Sequence, residues 1–286
     1  MATEIYLGNP PPHIIDWIKA HSKPAGNPKT KITFADGTSQ EYDWKGEITQ
    51  QTMIDAGLFD DDEYVWIKEP KTVEIGTNVT NIGEYVFEEC SNLTSVTIPN
   101  SVASIGKYAF SDCRSLTSVT IPNSVTSIGL GAFRDCRSLT SVTIPDSVTS
   151  IGGDAFTNCS NLIDFSVDQQ NNFYTFRDSL LITKDGEMLV EGINSQGSII
   201  IPDSVRSIEE YAFYGCRSLT SVTIPDSVTS IGYAAFFLCT RLTSVTIPDS
   251  VTSIGDLAFG NCSGLTSVTF SGKDKATIQG MANYSW

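Results

Sequence analysis

The sequence predicts a repeat solenoid, a right-handed superhelix of stacked 23-residue coils that is α/β in class and rich in β-structure. One observation is a segment of the form LTSVTIPxSVxSIG that returns in the same phase along the chain. Another is that nearly every copy continues to Phe-x-x-Cys at the same distance. One coil cannot bury its own apolar face, so copies in phase predict neighbours that share a continuous core. The copies begin at Leu93, Leu116, Leu139, Leu219 and Leu242, with a truncated start at Leu265.

The first half of each coil has the pattern of a half-buried strand. Apolar residues alternate with hydroxyl residues, so Val96 and Ile98 should point inward while Ser95 and Thr97 point outward. Pro99 should end the strand, because proline cannot donate to a sheet ladder. Strands in phase from consecutive coils predict a parallel sheet along one face.

The second half of each coil should return the chain to the next strand. Val102 and Ile105 form a second inward-facing step, and Gly106 permits a tight bend. Residues 109–113 have short-helical or 3₁₀ spacing that would direct Phe110 and Cys113 inward. Roughly nine coils at about 4.8 Å each would give a body about 43 Å long.

The flanking and interrupting segments predict three further parts. Residues 1–70 should form an α+β N-terminal cap with a helix around 12–21, a hairpin turning at Asp36-Gly37 and a helix near 49–56. Residues 71–270 form the repeat array, which an irregular unit at about 163–201 interrupts. That unit reads as a hairpin in which SLLIT and MLVEG flank residues 184–186. Residues 271–286 should form a C-terminal cap.

The repeat resembles that of a known protein family. The pattern L-x-S-V-x-I-P-x-S-V-x-S-I-G-x-x-A-F-x-x-C is similar to the BspA-like leucine-rich repeats of bacterial surface proteins and some protozoan ones. The resemblance covers about residues 72–270, and the irregular unit resembles those that often break such arrays. It implies a leucine-rich-repeat fold and a role like that of the family's adhesins, which bind host matrix proteins or other cells.

Composition limits the classes of partner and location. A net charge of −15 argues against nucleic acid, because phosphate binding needs clustered Lys and Arg. No run of eighteen apolar residues predicts a membrane-spanning helix, and the N-terminus lacks the regions of a signal peptide. The sequence as written therefore predicts a cytoplasmic protein without membrane insertion, which could reach a cell surface or a particle only by a non-classical route.

The seven cysteines occupy one column of the repeat. Stacked coils would hold their Cβ atoms about 4.8 Å apart, farther than the roughly 3.8 Å that a disulfide prefers. Neither a C-x-x-C pair nor a nearby histidine completes a metal site. A buried column of reduced thiols is the preferred interpretation over disulfides or metal ligation. The column comprises Cys90, Cys113, Cys136, Cys159, Cys216, Cys239 and Cys262.

Catalytic chemistry has little support in the residues present. His13 and His21 are the two histidines, and neither has the partners of a catalytic triad or zinc site at the required spacing. The acidic run at residues 60–63 lacks the spacing and the glycine of a calcium loop, so a solvated turn is preferred. We therefore expect no catalytic residue, metal or cofactor, and no enzyme; an unrecognised site in the N-terminal region is the remaining enzymatic alternative.

Two columns of hydroxyl residues should line the outer face of the strands. A flat, uncharged face with a period of about 4.8 Å could bind a ligand that itself repeats, such as a fibre or a glycan. The alternative is that Ser and Thr serve only as soluble strand formers. The candidate periodic face comprises Ser95, Thr97, Ser118, Thr120, Ser141, Thr143, Ser221, Thr223, Ser244 and Thr246, continuing to Ser267 and Thr269.

Variation among the copies concentrates on the opposite edge and in the irregular unit. A globular partner needs distinctive shapes, and aromatic and Arg side chains carry most interface energy. The candidate partner-binding residues are Phe173, Tyr174, Phe176 and Arg177 in the irregular unit and Tyr233, Phe237 and Leu238 on the variable edge. Arg114, Arg137 and Arg217 share a column and with Arg134 could form a modest basic strip or a merely solvated face.

Together these features predict a non-enzymatic scaffold that presents a repeat surface to a protein or polymeric partner, adhesin-like by resemblance. The alternative is a structural component of a larger particle, such as a phage or a cell-surface appendage, attached through residues 1–70. Repeat scaffolds do not reveal their ligand from fold alone.

Overall fold

The computed structural model describes residues 28–60, 62–63 and 65–272. The predicted helix around residues 12–21, both histidines and nearly all of the predicted C-terminal cap lie outside the described residues.

The described N-terminal segment is an α+β unit. The predicted hairpin at Asp36-Gly37 is confirmed, because Phe34 and Thr38 bond across the turn. The predicted helix near residues 49–56 is also confirmed, and Thr49 caps its N-terminus by accepting the N–H of Thr52. The elements are β1 (Thr30–Phe34), β2 (Ser39–Tyr42), β3 (Gly46–Ile48), α1 (Gln50–Asp55), β4 (Phe59–Asp60) and β5 (Val65–Trp66).

Stacked coils form the body of the molecule, as predicted. Most begin with a strand that buries its valine and directs the flanking hydroxyl residues outward, as Val96 does between Ser95 and Thr97. Most of these strands pair in parallel with the strand of the next coil. They are β6 (Pro70–Glu74), β8 (Ser95–Thr97), β10 (Ser118–Val119), β12 (Ser141–Ile144), β14 (Asp164–Val167), β18 (Gly197–Ile200), β20 (Leu219–Thr223), β22 (Ser244–Ile247) and β24 (Ser267–Phe270).

A second parallel sheet runs beside the first, where the sequence predicted only an inward-facing step. Ser104 pairs with Ser127, and Ile105 with Ile128, so the coil has two short strands instead of one. Its strands are β7 (Val79–Ile82), β9 (Ser104–Ile105), β11 (Ser127–Ile128), β13 (Ser150–Ile151), β19 (Ser207–Ile208), β21 (Ser230–Ile231) and β23 (Ser253–Ile254). The N-terminal unit covers the first coil, because β1 pairs antiparallel with β6 and β3 pairs in parallel with β7.

Hydrogen-bonded turns form the side opposite the first sheet, in place of the predicted short helical or 3₁₀ segments. Tyr108 and Asp112 have φ of 52° and 57°, left-handed values that a right-handed helix cannot accommodate. The N–H of Phe110 therefore donates to the carbonyl of Ala132 in the next coil, at 2.8 Å. Bonds between coils replace the bonds that a helix would make within itself.

The predicted hairpin in the irregular unit is confirmed and extended. β16 (Leu180–Thr183) and β17 (Met188–Gly192) pair antiparallel, and β15 (Tyr174–Arg177), which the sequence did not predict, pairs with β16. β17 then pairs in parallel with β19 and so joins the second sheet. The irregular unit is thus a three-stranded meander inserted into one coil.

The core contains a column of stacked phenylalanines. The rings of Phe110 and Phe133 lie 5.3 Å apart and nearly parallel, and those of Phe213 and Phe236 lie 4.9 Å apart. Between these two stacks the apolar core divides into two clusters at the irregular unit. The core predicted to be continuous is therefore two clusters, each with its own column of phenylalanines.

Candidate interaction surfaces

The hydroxyl face has the predicted geometry within each half of the array. Ser118 lies in register between Ser95 and Ser141, and their side chains point away from the buried valines. Thr143 and Ser166 bond through their hydroxyl groups at 3.0 Å. Within each half, this arrangement presents a hydroxyl group on every strand.

The aligned columns predicted a face that runs unbroken along the molecule, but the structure interrupts it. β14 ends one sheet and β18 begins another, so the strands of two consecutive coils do not pair. Asp164 and Ile200 occupy hydroxyl positions at this break, opposite Ser141 and Thr223 respectively. β20 and β22 do not pair either, so the candidate residues form three groups: those up to Thr143, those on β20 and those from Ser244 onward.

A neighbouring column of threonines is committed to holding the coils together. Thr117 Oγ1 donates to the carbonyl of Thr94, and Thr140 Oγ1 donates to that of Thr117, each at 3.2 Å. Thr97 and Thr120 make no side-chain hydrogen bond to any described residue. The candidate face therefore retains hydroxyl groups that the fold does not use.

The meander places its four candidate residues in different surroundings. Tyr174 is 8% exposed, and its hydroxyl accepts the N–H of Ile151 at 3.0 Å. Phe176 is half-buried against Phe165, with ring centroids 4.8 Å apart. Phe173, at 46% exposed, and Arg177 remain at the surface. Tyr174 thus belongs to the core, because burial of its ring is compatible with a satisfied hydroxyl.

Aromatic residues line the edge formed by the turns. Tyr211 contacts Tyr233 with ring centroids 5.4 Å apart, and Tyr214 stacks on Phe237 at 5.4 Å. In the other half of the array Tyr85 stacks on Tyr108 at 5.5 Å. We call this set the aromatic edge: Tyr85, Tyr108, Tyr211, Tyr214, Tyr233 and Phe237.

The structure brings Tyr233 and Phe237 into this edge as expected, with Leu238 half-buried beside them. The other four members were not singled out from the sequence. A usable signal was present, because tyrosine directly precedes Ala-Phe or Val-Phe at Tyr85, Tyr108 and Tyr211.

Most of the arginines in the possible basic strip are paired. Arg114 bonds Asp112 and Arg137 bonds Asp135, each at 2.8 Å. Arg134 bonds Asp154 at 2.9 Å and lies 4.6 Å from the centre of the Tyr214 ring. These pairs neutralise the strip over most of its length.

Two exposed isoleucines flank the break in the first sheet. Ile163 is 83% exposed and Ile200 is 73% exposed, the two highest values among the large apolar residues described. Sequence reasoning missed both, because each is an isolated substitution of threonine within a repeat copy that is irregular elsewhere.

Buried carboxyl groups lie where the irregular coil meets its neighbours. Glu191 is buried, and burial, followed by the charge of Asp154, raises the pKa of its carboxyl to about 8. Burial raises the pKa of Asp154 to about 6, although Arg134 opposes that shift. Both groups make contacts inside the fold, which argues for a structural role.

The cysteine column explains why this residue type recurs. Cys136 Sγ donates to the carbonyl of Phe110, and Cys159 Sγ to that of Phe133, each at 3.1 Å. All seven cysteines are free thiols, and burial raises the pKa of Cys136. The prediction of a buried column is confirmed for six of them, while Cys216 is half-buried. The thiol fills a small apolar site and still satisfies a carbonyl.

These stacked coils, with two parallel sheets and an edge of turns, define a leucine-rich-repeat solenoid. The chain belongs to the BspA type leucine-rich-repeat family, whose model matches residues 60–182 and 191–284 in six copies. A comparison with curated proteins finds no match.

Solved structures of bacterial leucine-rich-repeat proteins are similar to this chain. One from Eubacterium ventriosum is 25% identical with a TM-score of 0.65, over 85% of this chain and 70% of that one. One from Bacteroides ovatus is 29% identical with a TM-score of 0.51, over 84% and 61%. The pneumococcal vaccine antigen PcpA shares the fold at 16% identity and a TM-score of 0.51, over 86% and 77%. Among the described residues, no helix is long and apolar enough to cross a membrane.

Proposed function

We propose that this chain is a non-enzymatic scaffold that binds a basic protein partner through its aromatic edge, in an adhesin-like role. The observation that carries the proposal is the set of partly exposed, mutually packed rings on that edge, such as Tyr214 on Phe237. Aromatic side chains held in place by their neighbours lose little conformational entropy on binding, and tyrosine is enriched among residues that dominate interfaces.

Charge around the edge supports a basic partner. Three carboxylates, on Glu84, Glu210 and Asp256, are exposed beside the tyrosines, and they outnumber the one lysine, Lys107, that lies over the rings of Tyr85 and Tyr108. The whole chain carries a net charge of −15. A field of this sign accelerates association with a positively charged surface and weakens as salt screens it. Membership of a leucine-rich-repeat family supports the coarser statement that the chain is an interaction scaffold.

The proposal is tested by comparing three proteins for binding to a panel of host matrix proteins and purified bacterial surface proteins. The first is the unchanged chain. The second carries Tyr108→Ala, Tyr233→Ala and Phe237→Ala, and the third carries Thr120→Lys, Thr143→Lys and Thr223→Lys on the hydroxyl face. We expect salt-sensitive binding that the edge substitutions weaken by about tenfold or more and the lysines do not.

Two results would contradict the proposal. Loss of binding with the lysines alone would assign the hydroxyl face as the binding surface. Binding that neither set of substitutions alters would exclude both surfaces and direct attention to Phe173, Arg177 and the exposed isoleucines.

A further inference from the structure

A cavity of about 240 Å³ lies where the irregular coil is held between its two neighbours. One wall comes from residues 156–160, the last turn of the preceding coil, and the other from residues 214–218 in the following coil. Gly192, Asn194 and Ser195 of the irregular coil lie between the walls, and Arg137 completes the lining. The cavity is separate from the aromatic edge proposed above, although Tyr214 contacts both.

Small residues of the irregular coil line the cavity. Gly192 N–H donates to the carbonyl of Ala212 and its carbonyl accepts from Cys216 Sγ, the two bonds that a phenylalanine makes in the regular coils. Gly192 therefore occupies the phenylalanine column, and Ser195, three residues later, occupies the cysteine column. A Cβ at Gly192 would lie 2.4 Å from a ring carbon of Phe213, so only glycine fits at this level of the stack.

Two hydrogen-bond donors at the cavity have no partner among the described residues. Ser195 is 3% exposed, and its Oγ lacks the bond to a carbonyl that the cysteines of this column make. In regular coils the residue directly before the cysteine donates its N–H to the next coil, as Asp135 does to Thr157. Asn158, the residue in that position here, makes no such bond within the described part of the chain.

An unpaired cation lies at the same cavity. Arg137 is held by Asp135, two residues before it. The corresponding neighbour of Arg217 is Gly215, so Arg217 lacks that carboxylate and forms no ion pair with a described residue. A Cβ at Gly215 would lie 2.5 Å from Oδ1 of Asn158, so the two coils approach closely at this position.

We propose that this cavity binds a small organic carboxylate. The guanidinium of Arg217 would pair with the carboxylate, and the Asn158 N–H and the Ser195 hydroxyl would donate to its remaining oxygen atoms. Both charged residues in the lining are arginines, which favours an anion over a cation. At about 30 Å³ for each water, the volume suits a molecule of roughly eight to ten non-hydrogen atoms.

The test is calorimetric titration of the whole chain with matched probe pairs. Succinate is compared with succinamide and gluconate with glucose, at millimolar concentration, while inorganic phosphate tests a general preference for anions. We expect the carboxylates to bind and the neutral partners to bind at least about tenfold more weakly, the loss expected when a charge-assisted pair is removed. Absence of binding by both carboxylates, or binding of phosphate that equals theirs, would overturn the proposal.

Three variants locate the site. Arg217→Gln should weaken succinate binding about ten- to hundredfold, and Ser195→Ala should weaken it several-fold. Arg114→Gln is the matched control, because Arg114 occupies the same column in a regular coil and pairs with Asp112. Equal effects of Arg217→Gln and Arg114→Gln would show that the anion binds by surface charge, and the proposal would fail. Thermal melting checks that each variant is folded.

A second readout does not depend on affinity. Cys216 lines the cavity and is half-buried, so succinate should slow its labelling by N-ethylmaleimide in the unchanged chain and not in Arg217→Gln. Equal labelling with and without succinate in the unchanged chain would contradict binding at this cavity.

Discussion

The side chain of Glu191 takes the place of a backbone acceptor for Phe156. In regular coils the phenylalanine N–H donates to the carbonyl of the alanine in the next coil, as Phe133 does to Ala155 at 2.8 Å. The N–H of Phe156 donates instead to the carboxyl oxygens of Glu191, at 3.0 and 3.2 Å. The hydroxyl of Thr157 donates to the same group at 3.0 Å. The Glu191 side chain thereby joins two coils that lack the backbone bond from phenylalanine N–H to the next coil.

The Glu191 carboxyl should make stability depend on pH. Its pKa rises from 4.5 to about 8 on folding, so the folded chain binds more protons than the unfolded chain between these values. Stability from this group is therefore fully present below about pH 4.5 and is lost as pH rises through about 8. Glu191→Gln, which keeps an acceptor for Phe156, should reduce the loss of stability between pH 5 and pH 8 in urea unfolding.

Asp154 and Glu88 supply the control for that experiment. Burial raises the pKa of Asp154 to about 6 and that of Glu88 to about 7. Both carboxyl groups therefore also lower the stability of the fold as pH rises. Glu88→Gln should remove a part of the dependence that ends near pH 7, and Glu191→Gln a part that extends to about pH 8. Identical profiles for Glu191→Gln and the unchanged chain would show that Glu191 is ionised throughout.

Removal of one ring from the phenylalanine column should be costly. Phe133 is buried and stacks on Phe110 and Phe156 at 5.3 and 5.5 Å. Phe133→Ala should lower the free energy of unfolding by about 3 to 5 kcal/mol, as for other large-to-small changes in cores. Tyr233→Ala, at an exposed position, should cost about 1 kcal/mol or less by the same chemical denaturation. Equal losses in the two variants would mean that the assignment of faces is wrong.

Thiol labelling should distinguish Cys216 from Cys136, a buried cysteine of a regular coil. Cys216 is half-buried, and its bond to the carbonyl of Gly192 is 3.7 Å, longer than the 3.1 Å bond of Cys136. N-ethylmaleimide under native conditions should therefore modify Cys216 before Cys136, slowly because burial raises the pKa of Cys216 to about 12. Mass spectrometry of digested protein identifies the labelled site. Labelling of Cys136 as early as Cys216 would show that the core opens as a whole.

Asn171 should anchor the start of the meander. It is buried, its Nδ2 donates to the carbonyls of Pro145 and Val148, and its Oδ1 accepts the N–H groups of Phe173 and Tyr174. Asn171→Ala would leave several of these buried groups unsatisfied and should cost about 2 to 4 kcal/mol. Hydrogen exchange should rise most in residues 173–183, and Asn172→Ala, one position along the chain, serves as the control. Exchange that rises equally in both variants would contradict an anchoring role.

The regular coils could be predicted from sequence because the strand pattern, the turn residues and the inward-facing residues all repeat with the same period. The alternation around Val96 and the spacing of Phe110 and Cys113 set the inward residues, and repetition in phase determined which residues of neighbouring coils would pair. The turns were less predictable. Residues such as Tyr108 adopt positive φ without being glycine, because bonds to the next coil hold them there.

The sequence did not predict which columns of the repeat the residues of the irregular coil occupy. Glu191 and Gly192 do not resemble the alanine and phenylalanine whose columns they occupy, and hydrogen bonds reveal the correspondence. Burial of Tyr174 was missed for a related reason, since its hydroxyl finds a partner in Ile151, distant in sequence. The cavity beside Arg217 is lined by residues of this irregular coil, so sequence periodicity alone gave no sign of it.

Between regular coils, the cysteine thiols and the threonine hydroxyls that bond to backbone carbonyls donate in the same direction along the stack. Cys136 donates back to Phe110 as Cys159 does to Phe133, and Thr117 donates back to Thr94. Every regular coil therefore donates to carbonyls of the preceding coil and presents the same carbonyls to the donors of the following coil. Excision of residues 116–138 would join Ser115 to Leu139, recreating the Ser-Leu junction that the chain already has at residues 115–116, 138–139 and 218–219. A gene could thus lengthen or shorten this body by whole units without redesigning any joint.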